Sequence, residues 1–341
     1  MLTKFFKLSV LKTSLICVLF LIISIFFTAC NNFDTQSESL EEVNLVLDWT
    51  PNTNHTGIYV ADKLGYFEQE GIKLNIIQPP EDGATSLVGA GKTDFGIDFQ
   101  DYLAPAFLNN VPVTAVAAII EHNSSGFVSL KNSNIDSPKN FEGKNYTTQN
   151  LPAEIAIINY IMEKNFADIN KLNFIPTTVT DIASALNTNI DIAWIYYAWD
   201  GIALENLNID TNFMYLKDID EIFDFYTPVL IANNDFLENR PELAKRFMSA
   251  VSKGYQYAMQ NPKESADILT HAVPELDYDL VLKSQLWLSE KYSSNIESWG
   301  YIDKSRWDNF YNWLYEKNIV SEKISDKMCF SNDFLPSGNY S

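Results

Sequence analysis

Apolar and polar positions alternate along the first part of the chain in a way that is typical of an α/β protein. Short apolar runs of strand length are separated by segments whose apolar residues recur at helical spacing. The pattern predicts strands at 44–47, 73–77, 95–97 and 113–119 and helices at 55–69 and 84–90. Because helices that connect such strands pack on the faces of the sheet, this order predicts parallel strands.

A second set of the same kind begins near residue 126. It predicts strands at 126–130, 146–148, 172–175, 190–197, 214–216 and 229–232 and helices at 152–164 and 182–186. The pattern then becomes helical, with predicted helices at 241–260, 262–271, 278–292 and 304–318. Two α/β sets followed by a helical region predict a two-lobed α/β fold with the ligand cleft between the lobes.

The segments between these sets predict the domain boundaries. We place the crossings between the lobes near 121–126 and 226–229, where small and turn-forming residues stand. The predicted domains are a lobe 1 that combines 43–124 with 228–341 and a lobe 2 at 125–227. Residues 30–42 begin with Cys30, are polar after it and lack apolar periodicity, which predicts a flexible tether.

The first 30 residues carry the pattern of an exported lipoprotein. Lys4, Lys7 and Lys12 precede an apolar run over 13–29 that ends at Cys30, and this predicts a signal peptide at 1–29. The letters FTAC before the mature chain resemble a bacterial lipobox, which predicts a lipid anchor on Cys30. The alternative is an uncleaved transmembrane anchor, since the run is at the short edge of what spans a bilayer. Both interpretations place the folded part at the extracytoplasmic face of the cell membrane.

Composition narrows the range of partners. The chain has 44 acidic and 24 basic residues and a formal net charge of −20, which disfavours nucleic acid and anionic membrane surfaces. Of the three cysteines, Cys17 and Cys30 lie in the N-terminal segment and only Cys329 remains, so we expect no intrachain disulfide. The sequence also predicts no metal cluster and no cofactor.

The first candidate site follows the first predicted strand, at 48–57. Trp49, Asn52 and His55 stand where a strand ends and a helix begins, and that edge of a parallel sheet faces the ligand crevice. A turn and a helix cap would explain part of the same pattern. Because capping needs neither Trp49 nor His55, we expect at least one of them to lie in the cleft.

Two segments of the second α/β set are also candidates. Glu154 lies in the first turn of a predicted helix, where a carboxylate either complements the helix dipole or accepts hydrogen bonds from an amino heterocycle. The segment 191–200 is rich in aromatic residues, and some of them must pack a sheet face. Tyr197 and Trp199, at the end of the predicted strand, are expected to stack on a flat ligand ring.

Motifs of catalysis are not found in the sequence. It contains no Gly-rich phosphate loop, no zinc-type spacing of cysteine and histidine, and no Gly-x-Ser-x-Gly turn. The three histidines are scattered, at 55, 122 and 271. The sequence therefore predicts a binding protein, not an enzyme.

Several long motifs resemble the ThiY-type solute-binding proteins of ABC importers for thiamine pyrimidine precursors. The motifs lie at 48–57, 59–61, 65–67, 78–80, 91–96 and 191–201, and the resemblance covers 43–336. It implies a periplasmic-binding-protein fold of type II and a monomer that delivers its ligand to an ABC permease and ATPase. The implied ligand is a formylaminopyrimidine or a hydroxymethylpyrimidine.

The resemblance also implies roles for individual residues. The residues implied to stack on the pyrimidine ring are Trp49, Tyr197 and Trp199. Those implied to bind the edge of the ring are Asn52, His55, Gln100 and Glu154.

One departure from the family leaves alternatives open. Similar proteins have Gly-Ser-Pro-x-Glu where this chain has NLPAE at 150–154, and the bulkier residues there would reshape the cleft. Riboflavin or another flat heterocycle is therefore an alternative ligand. A yeast-type pyrimidine synthase, which uses its own histidine and a pyridoxal cofactor, is a second alternative. That enzyme carries a Cys-rich iron-binding run, and this chain has none.

Overall fold

The computed structural model describes residues 39–80, 83–177, 179–327 and 329–337. The predicted signal peptide at 1–29 and the predicted lipid attachment at Cys30 lie outside these ranges. From Leu40 onwards the described residues belong to one compact unit. None of the helices in the described ranges is long and apolar enough to cross a bilayer.

The described residues form ten strands. They are β1 (Glu41–Val46), β2 (Ile72–Ile77), β3 (Phe95–Asp98), β4 (Val113–Ala118), β5 (Ser125–Leu130), β6 (Asn145–Thr148), β7 (Asn173–Pro176), β8 (Ala193–Tyr196), β9 (Thr211–Tyr215) and β10 (Val229–Asn233). Five of them form one sheet in the order β2-β1-β3-β10-β4. In that sheet β1 pairs in parallel with β2 and β3, while β10 runs antiparallel to β3 and β4. The predicted parallel core is therefore present, with one reversed strand inserted beside it.

The order of the first three strands creates a topological switch point. The chain passes from β1 to β2 on one side and then returns to place β3 on the other side of β1. The connections that follow β1 and β3 therefore diverge, and a crevice opens at the carboxyl ends of the two strands. Ligands of open α/β sheets bind in this kind of crevice.

The remaining strands form a second, smaller group. Strands β8, β5 and β9 form an antiparallel sheet, and β6 pairs in parallel with β7. A bridge between Tyr146 and Ile192 joins the two pieces. The chain leaves the first sheet after Ala118 and returns to it at Val229, so the second group lies between two crossing segments.

Helices cover the sheets and form the C-terminal region. The described α-helices are α1 (Thr56–Lys63), α2 (Tyr66–Gln69), α3 (Ala84–Gly89), α4 (Ala104–Leu108), α5 (Pro152–Lys164), α6 (Ile182–Leu186), α7 (Ile202–Asn206), α8 (Leu216–Ile219), α9 (Asn234–Asn239), α10 (Pro241–Gln260), α11 (Pro262–Ala272), α12 (Tyr278–Leu288) and α13 (Lys304–Glu316). A π-helical turn, Tyr197–Gly201, follows β8.

Two local predictions need correction. The single helix predicted at 55–69 is two helices, because Gly65 adopts a left-handed backbone with φ of 71° between them. The tether predicted at 30–42 is too long, because Glu41 and Glu42 already belong to β1. The Glu41 carboxylate pairs with Arg240 and Arg246, which ties the start of β1 to the C-terminal helices.

Close packing of α1 against α10 fixes the start of α1 and the loop before it. A Cβ added at Gly254 would lie 2.0 Å from the carbonyl oxygen of Gly57, and one added at Gly57 would lie 2.3 Å from the Tyr255 ring. Only glycine at these positions allows the two backbones to approach so closely. The Tyr255 hydroxyl also donates to the carbonyl of Asn54 at 2.6 Å.

Gly254→Ala tests this close approach. Alanine is the better helix former, by about 1 kcal/mol, but its methyl group must displace the backbone of α1. Overpacking of this kind costs about 1–3 kcal/mol, so we expect a net decrease in the free energy of unfolding measured in urea.

Lys245→Ala, on the exposed side of the same helix, is the matched control. The Lys245 side chain is half exposed, so this change should alter the unfolding free energy by less than about 0.5 kcal/mol. Equal stability of Gly254→Ala and the native chain would show that α1 and α10 are not packed backbone to backbone.

Candidate functional site

Acidic residues end the two strands at the switch point. Asp98 is the last residue of β3, and Asp48 follows β1 by two residues. Both side chains are almost completely buried, and the Asp48 charge is close enough to raise the pKa of Asp98. The strand ends therefore bring two carboxylates to the same edge of the first sheet.

The loop after β1 is organised to hold Asp48. His55 is fully buried, and its Nε2 lies 2.6 Å from Asp48 Oδ1. His55 Nδ1 accepts the backbone N–H of Asn52 at 3.1 Å. Because Nδ1 is an acceptor, Nε2 carries the hydrogen and donates it to the Asp48 carboxylate. The ring thus fixes both the position of the carboxylate and the shape of the loop.

This arrangement changes the roles predicted for Asn52 and His55. Asn52 Oδ1 accepts the Asn54 N–H at 2.9 Å, and Asn52 Nδ2 donates to the Thr50 carbonyl at 3.1 Å. Both ring nitrogens of His55 are likewise used inside the loop. Contrary to the prediction, His55 has no ring nitrogen left for a ligand and orients Asp48, while Asn52 caps the turn. Trp49 of the same loop is 51% exposed and is free to contact a ligand.

The segment after β3 contributes the most unusual acid of the site. Asp98 accepts hydrogen bonds from the Thr85 hydroxyl and, at 2.8 Å, from the Phe99 N–H. Burial nevertheless raises the pKa of Asp98 to about 6. Asp101 is also buried, and its Oδ1 has no hydrogen-bond partner among the described residues. Burial, with smaller contributions from Asp98 and Glu154, raises the pKa of Asp101 to about 7.

Helix α5, between β6 and β7, supplies a carboxylate that faces these acids. Glu154, in the first turn of α5, accepts the Tyr146 hydroxyl at 2.7 Å and the Thr148 hydroxyl at 2.9 Å. It also accepts the N–H of Leu151, at 3.2 Å. Burial and the neighbouring carboxylate raise the pKa of Tyr146 well above its usual value. Glu154 is therefore held by three protein donors, and its predicted bond to the edge of a ligand stays a prediction.

Two contacts join the halves of the site. The Tyr102 hydroxyl donates to Gln149 Oε1 at 2.9 Å. The Phe99 ring, after β3, stacks on the Tyr196 ring, at the end of β8, with centroids 5.2 Å apart and planes 21° apart. These rings and the acids around them form one acidic, aromatic surface between the two sheets.

Gln100 does not lie on this surface. It is fully buried, its Nε2 donates to the carbonyl of Trp307 at 3.0 Å, and its Oε1 accepts the N–H of Tyr226 at 2.8 Å. The side chain thus connects β3 to α13 and to the return crossing. The prediction that Gln100 binds the ligand edge is wrong because the side chain is fully buried and bonded to core backbone groups.

Tyr197 and Trp199 also lie elsewhere. Tyr197 packs among Phe213, Tyr215 and Trp287, and its hydroxyl donates to Glu205. Trp199 packs against the apolar cluster formed by α11 and α12. β8 ends at Tyr196, and both rings belong to the π turn and are already packed against protein side chains, contrary to the predicted stacking on a ligand.

The π turn is bonded to the loop after β1 through α12. Ser284 Oγ donates to the carbonyl of Ala198, so the hydrogen of that hydroxyl is used. The Thr53 hydroxyl, 2.5 Å from Ser284 Oγ, must therefore donate to it. Thr53 and Ser284 are both buried. We call this series of groups the Thr53–Ser284–Ala198 chain.

The structure brings in four residues that the sequence did not single out as ligand contacts. They are Asp98, Asp101, Tyr102 and Tyr196. The first three could have been predicted from their position, since they stand at or just after the carboxyl end of a strand that pairs in parallel. For Tyr196 the signal was alternation, but alternation does not reveal which face of β8 is turned to the cleft.

Comparison with known proteins places the chain in a family. The family model described as NMT1/THI5 like matches residues 52–265. A 4-amino-5-hydroxymethyl-2-methylpyrimidine phosphate synthase of Legionella pneumophila is 27% identical, over 88% of this chain and 94% of the relative. A formylaminopyrimidine-binding protein of Halalkalibacterium halodurans is 25% identical, over 92% of this chain and 97% of the relative.

These relatives overturn the prediction that enzymes can be set aside. The Legionella relative is named as a synthase and aligns over nearly its whole length. Relatives from Aspergillus parasiticus and Saccharomyces cerevisiae carry the same name. The missing catalytic motifs therefore do not separate this chain from enzymes, because relatives named as synthases align with it over most of its length.

Solved structures confirm the predicted fold. The periplasmic aliphatic sulphonate binding protein SsuA of Escherichia coli superimposes with a TM-score of 0.66 at 12% identity, over 88% of this chain and 95% of that protein. At this identity the match supports the fold and not the ligand. The chain therefore belongs to the NMT1/THI5 like family and has the periplasmic-binding-protein fold.

Proposed function

We propose that this protein captures a thiamine pyrimidine precursor, of the formylaminopyrimidine or hydroxymethylpyrimidine type, outside the cell. In this proposal the lipid on Cys30 anchors the protein at the membrane and an ABC permease with its ATPase receives the ligand. The observation that carries the proposal is the cluster of carboxylates and tyrosines between the two sheets.

The chemistry of the cluster fits an amino heterocycle. Asp48, Asp98, Asp101 and Glu154 present hydrogen-bond acceptors, and an aminopyrimidine presents N–H donors at its edge. An anionic ligand would instead meet several buried acids, which disfavours its binding. The name of the Halalkalibacterium relative supports the same class of ligand.

Aromatic contacts fit the flat shape of such a ring. Phe99 and Tyr196 face each other from the two sheets, and their present centroid distance is 5.2 Å. A ring bound between them requires a separation of about 7 Å, which is two layers of carbon contacts. A small movement of the two sheets apart would provide this space.

The synthase reaction is the second candidate. It is favoured by the Legionella relative, which matches this chain as extensively as the binding protein does. The two candidates differ in whether the pyrimidine is only bound or is also made by the protein.

Calorimetry with the purified full-length chain tests the proposal. We expect formylaminopyrimidine or 4-amino-5-hydroxymethyl-2-methylpyrimidine to bind with 1:1 stoichiometry, because one cluster lies between the two sheets. The same preparation is assayed by mass spectrometry for formation of the pyrimidine phosphate in the presence of pyridoxal phosphate and iron. Binding without product supports the proposal, whereas product supports the synthase. Heat with riboflavin and none with either pyrimidine would contradict both.

Tyr196→Ala and Tyr197→Ala form a matched pair for the stacking role. Tyr196 ends β8 and stacks on Phe99 across the cleft, whereas Tyr197 begins the π turn and packs against Phe213. We expect Tyr196→Ala to weaken pyrimidine binding by about 1–3 kcal/mol, the usual contribution of stacking between a base and an aromatic side chain. Tyr197→Ala should leave the dissociation constant within about threefold of the native value. A larger loss for Tyr197→Ala than for Tyr196→Ala would place the ligand beside the π turn and contradict the stacking role of Tyr196.

A further inference from the structure

We propose that Asp101 is the anchor of the pyrimidine, sharing one proton with a ring nitrogen while accepting the N–H of the neighbouring exocyclic amine. This inference rests on the proposed binding function and names the residue and the protonation state through which that function would work.

Among the acids of the site, Asp101 is distinguished by one buried carboxylate oxygen, Oδ1, without a hydrogen-bond partner in the described part of the chain. Asp48 is paired with His55, Asp98 is bonded to Thr85 and Phe99, and Glu154 accepts three donors. By contrast, Asp101 is only 8% exposed, and its Oδ1 has no partner among the described residues. A buried polar atom without a partner costs about 1–3 kcal/mol, so a ligand that bonds to it gains this free energy.

The groups around Asp101 favour the protonated form of its carboxyl group. The titratable groups that face it are Asp98, Tyr102, Glu154, Tyr196 and Tyr311. They come from the end of β3 and the segment after it, from α5 and β8, and from α13, and none of them is a cation. Burial first, and then the neighbouring carboxylates, raise the pKa of Asp101 to about 7.

An aminopyrimidine offers the complementary edge. Its exocyclic amine donates one hydrogen bond, and the adjacent ring nitrogen accepts another or carries a proton. A carboxyl group matches both positions at once, in the bidentate geometry that strengthens charge-assisted pairs. The proton between the carboxyl oxygen and the ring nitrogen comes from Asp101 itself at low pH and from solvent at high pH.

The sign of the pH dependence follows from this proton. Above the pKa of about 7, the free carboxyl has lost its proton, whereas the complex still holds one, so binding must take up a proton. The affinity should therefore decrease above pH 7, by up to about tenfold per pH unit. Below pH 7 Asp101 already holds the proton, so binding takes up no proton and the affinity no longer depends on pH in this way.

Two substitutions at Asp101 test the inference. Asp101→Asn keeps an oxygen acceptor and adds a permanent N–H donor toward the ring nitrogen, so we expect binding that no longer weakens between pH 7 and 9. Asp101→Leu removes both functions, and we expect at least a tenfold weaker complex. Asp218→Asn, on an exposed acid far from the cleft, should reproduce the native pH profile.

The experiment is calorimetry on the full-length protein with 4-amino-5-hydroxymethyl-2-methylpyrimidine at pH 6 to 9. Two buffers of different ionisation heat give the number of protons taken up, which we expect to approach one at pH 8.5 for the native chain and zero for Asp101→Asn. The analogue without the exocyclic amine should bind more weakly and show a smaller difference between the native chain and Asp101→Leu, because only the contact to the ring nitrogen remains. Circular dichroism checks that each variant is folded.

The outcomes separate the inference from the proposed function. Native binding with no proton uptake, or an Asp101→Asn variant that keeps the native pH profile, overturns the role of Asp101 and leaves the binding function standing. Failure of the native chain to bind any pyrimidine at any pH overturns both.

Discussion

The site depends on the shared edge at which β1 and β3 end. The two strands are parallel neighbours, so the side chains that follow them meet, and in this protein each contributes a carboxylate. A buried carboxylate needs donors or a proton, because an unpaired charge in a low-dielectric interior is costly. His55 supplies the donor for Asp48 and Thr85 supplies one for Asp98. Much of the loop structure around the crevice therefore serves to keep acids in place.

Contacts from the C-terminal helices hold the loop that follows β1 at this edge. Helix α10 packs backbone to backbone against α1, and Tyr255 of α10 bonds to the loop carbonyl of Asn54. Tyr255 in turn stacks on Trp299, with ring centroids 4.3 Å apart. The Asp48 carboxylate is thus supported by a rigid series of contacts that begins in the C-terminal helices, although those helices contribute no acid to the cleft surface described above.

The sequence predicts the fold well and the site in part. Periodicity locates the strands that matter, since β1 and β3 lie within two or three residues of their predicted positions. Spacing cannot tell a buried amide that ties core elements together from one that faces a ligand, and Gln100 is such a buried amide. It also cannot foresee the π turn after β8. Because of this turn the strand ends at Tyr196, and Tyr197 packs against Phe213. Asp101 becomes notable only when its missing partner is visible in three dimensions.

The Thr53–Ser284–Ala198 chain has a consequence for the time that a ligand stays bound. Its hydroxyls are buried, and it joins the loop after β1 to the π turn that follows Tyr196. A motion that pulls the π turn away from α12 breaks the hydrogen bond from Ser284 to the Ala198 carbonyl, at a cost of about 0.5–1.5 kcal/mol. This cost raises the barrier to opening of the cleft, whereas the encounter of the ligand with the protein does not require the bond to break. The chain would therefore lengthen the residence time of the complex while leaving the association rate almost unchanged.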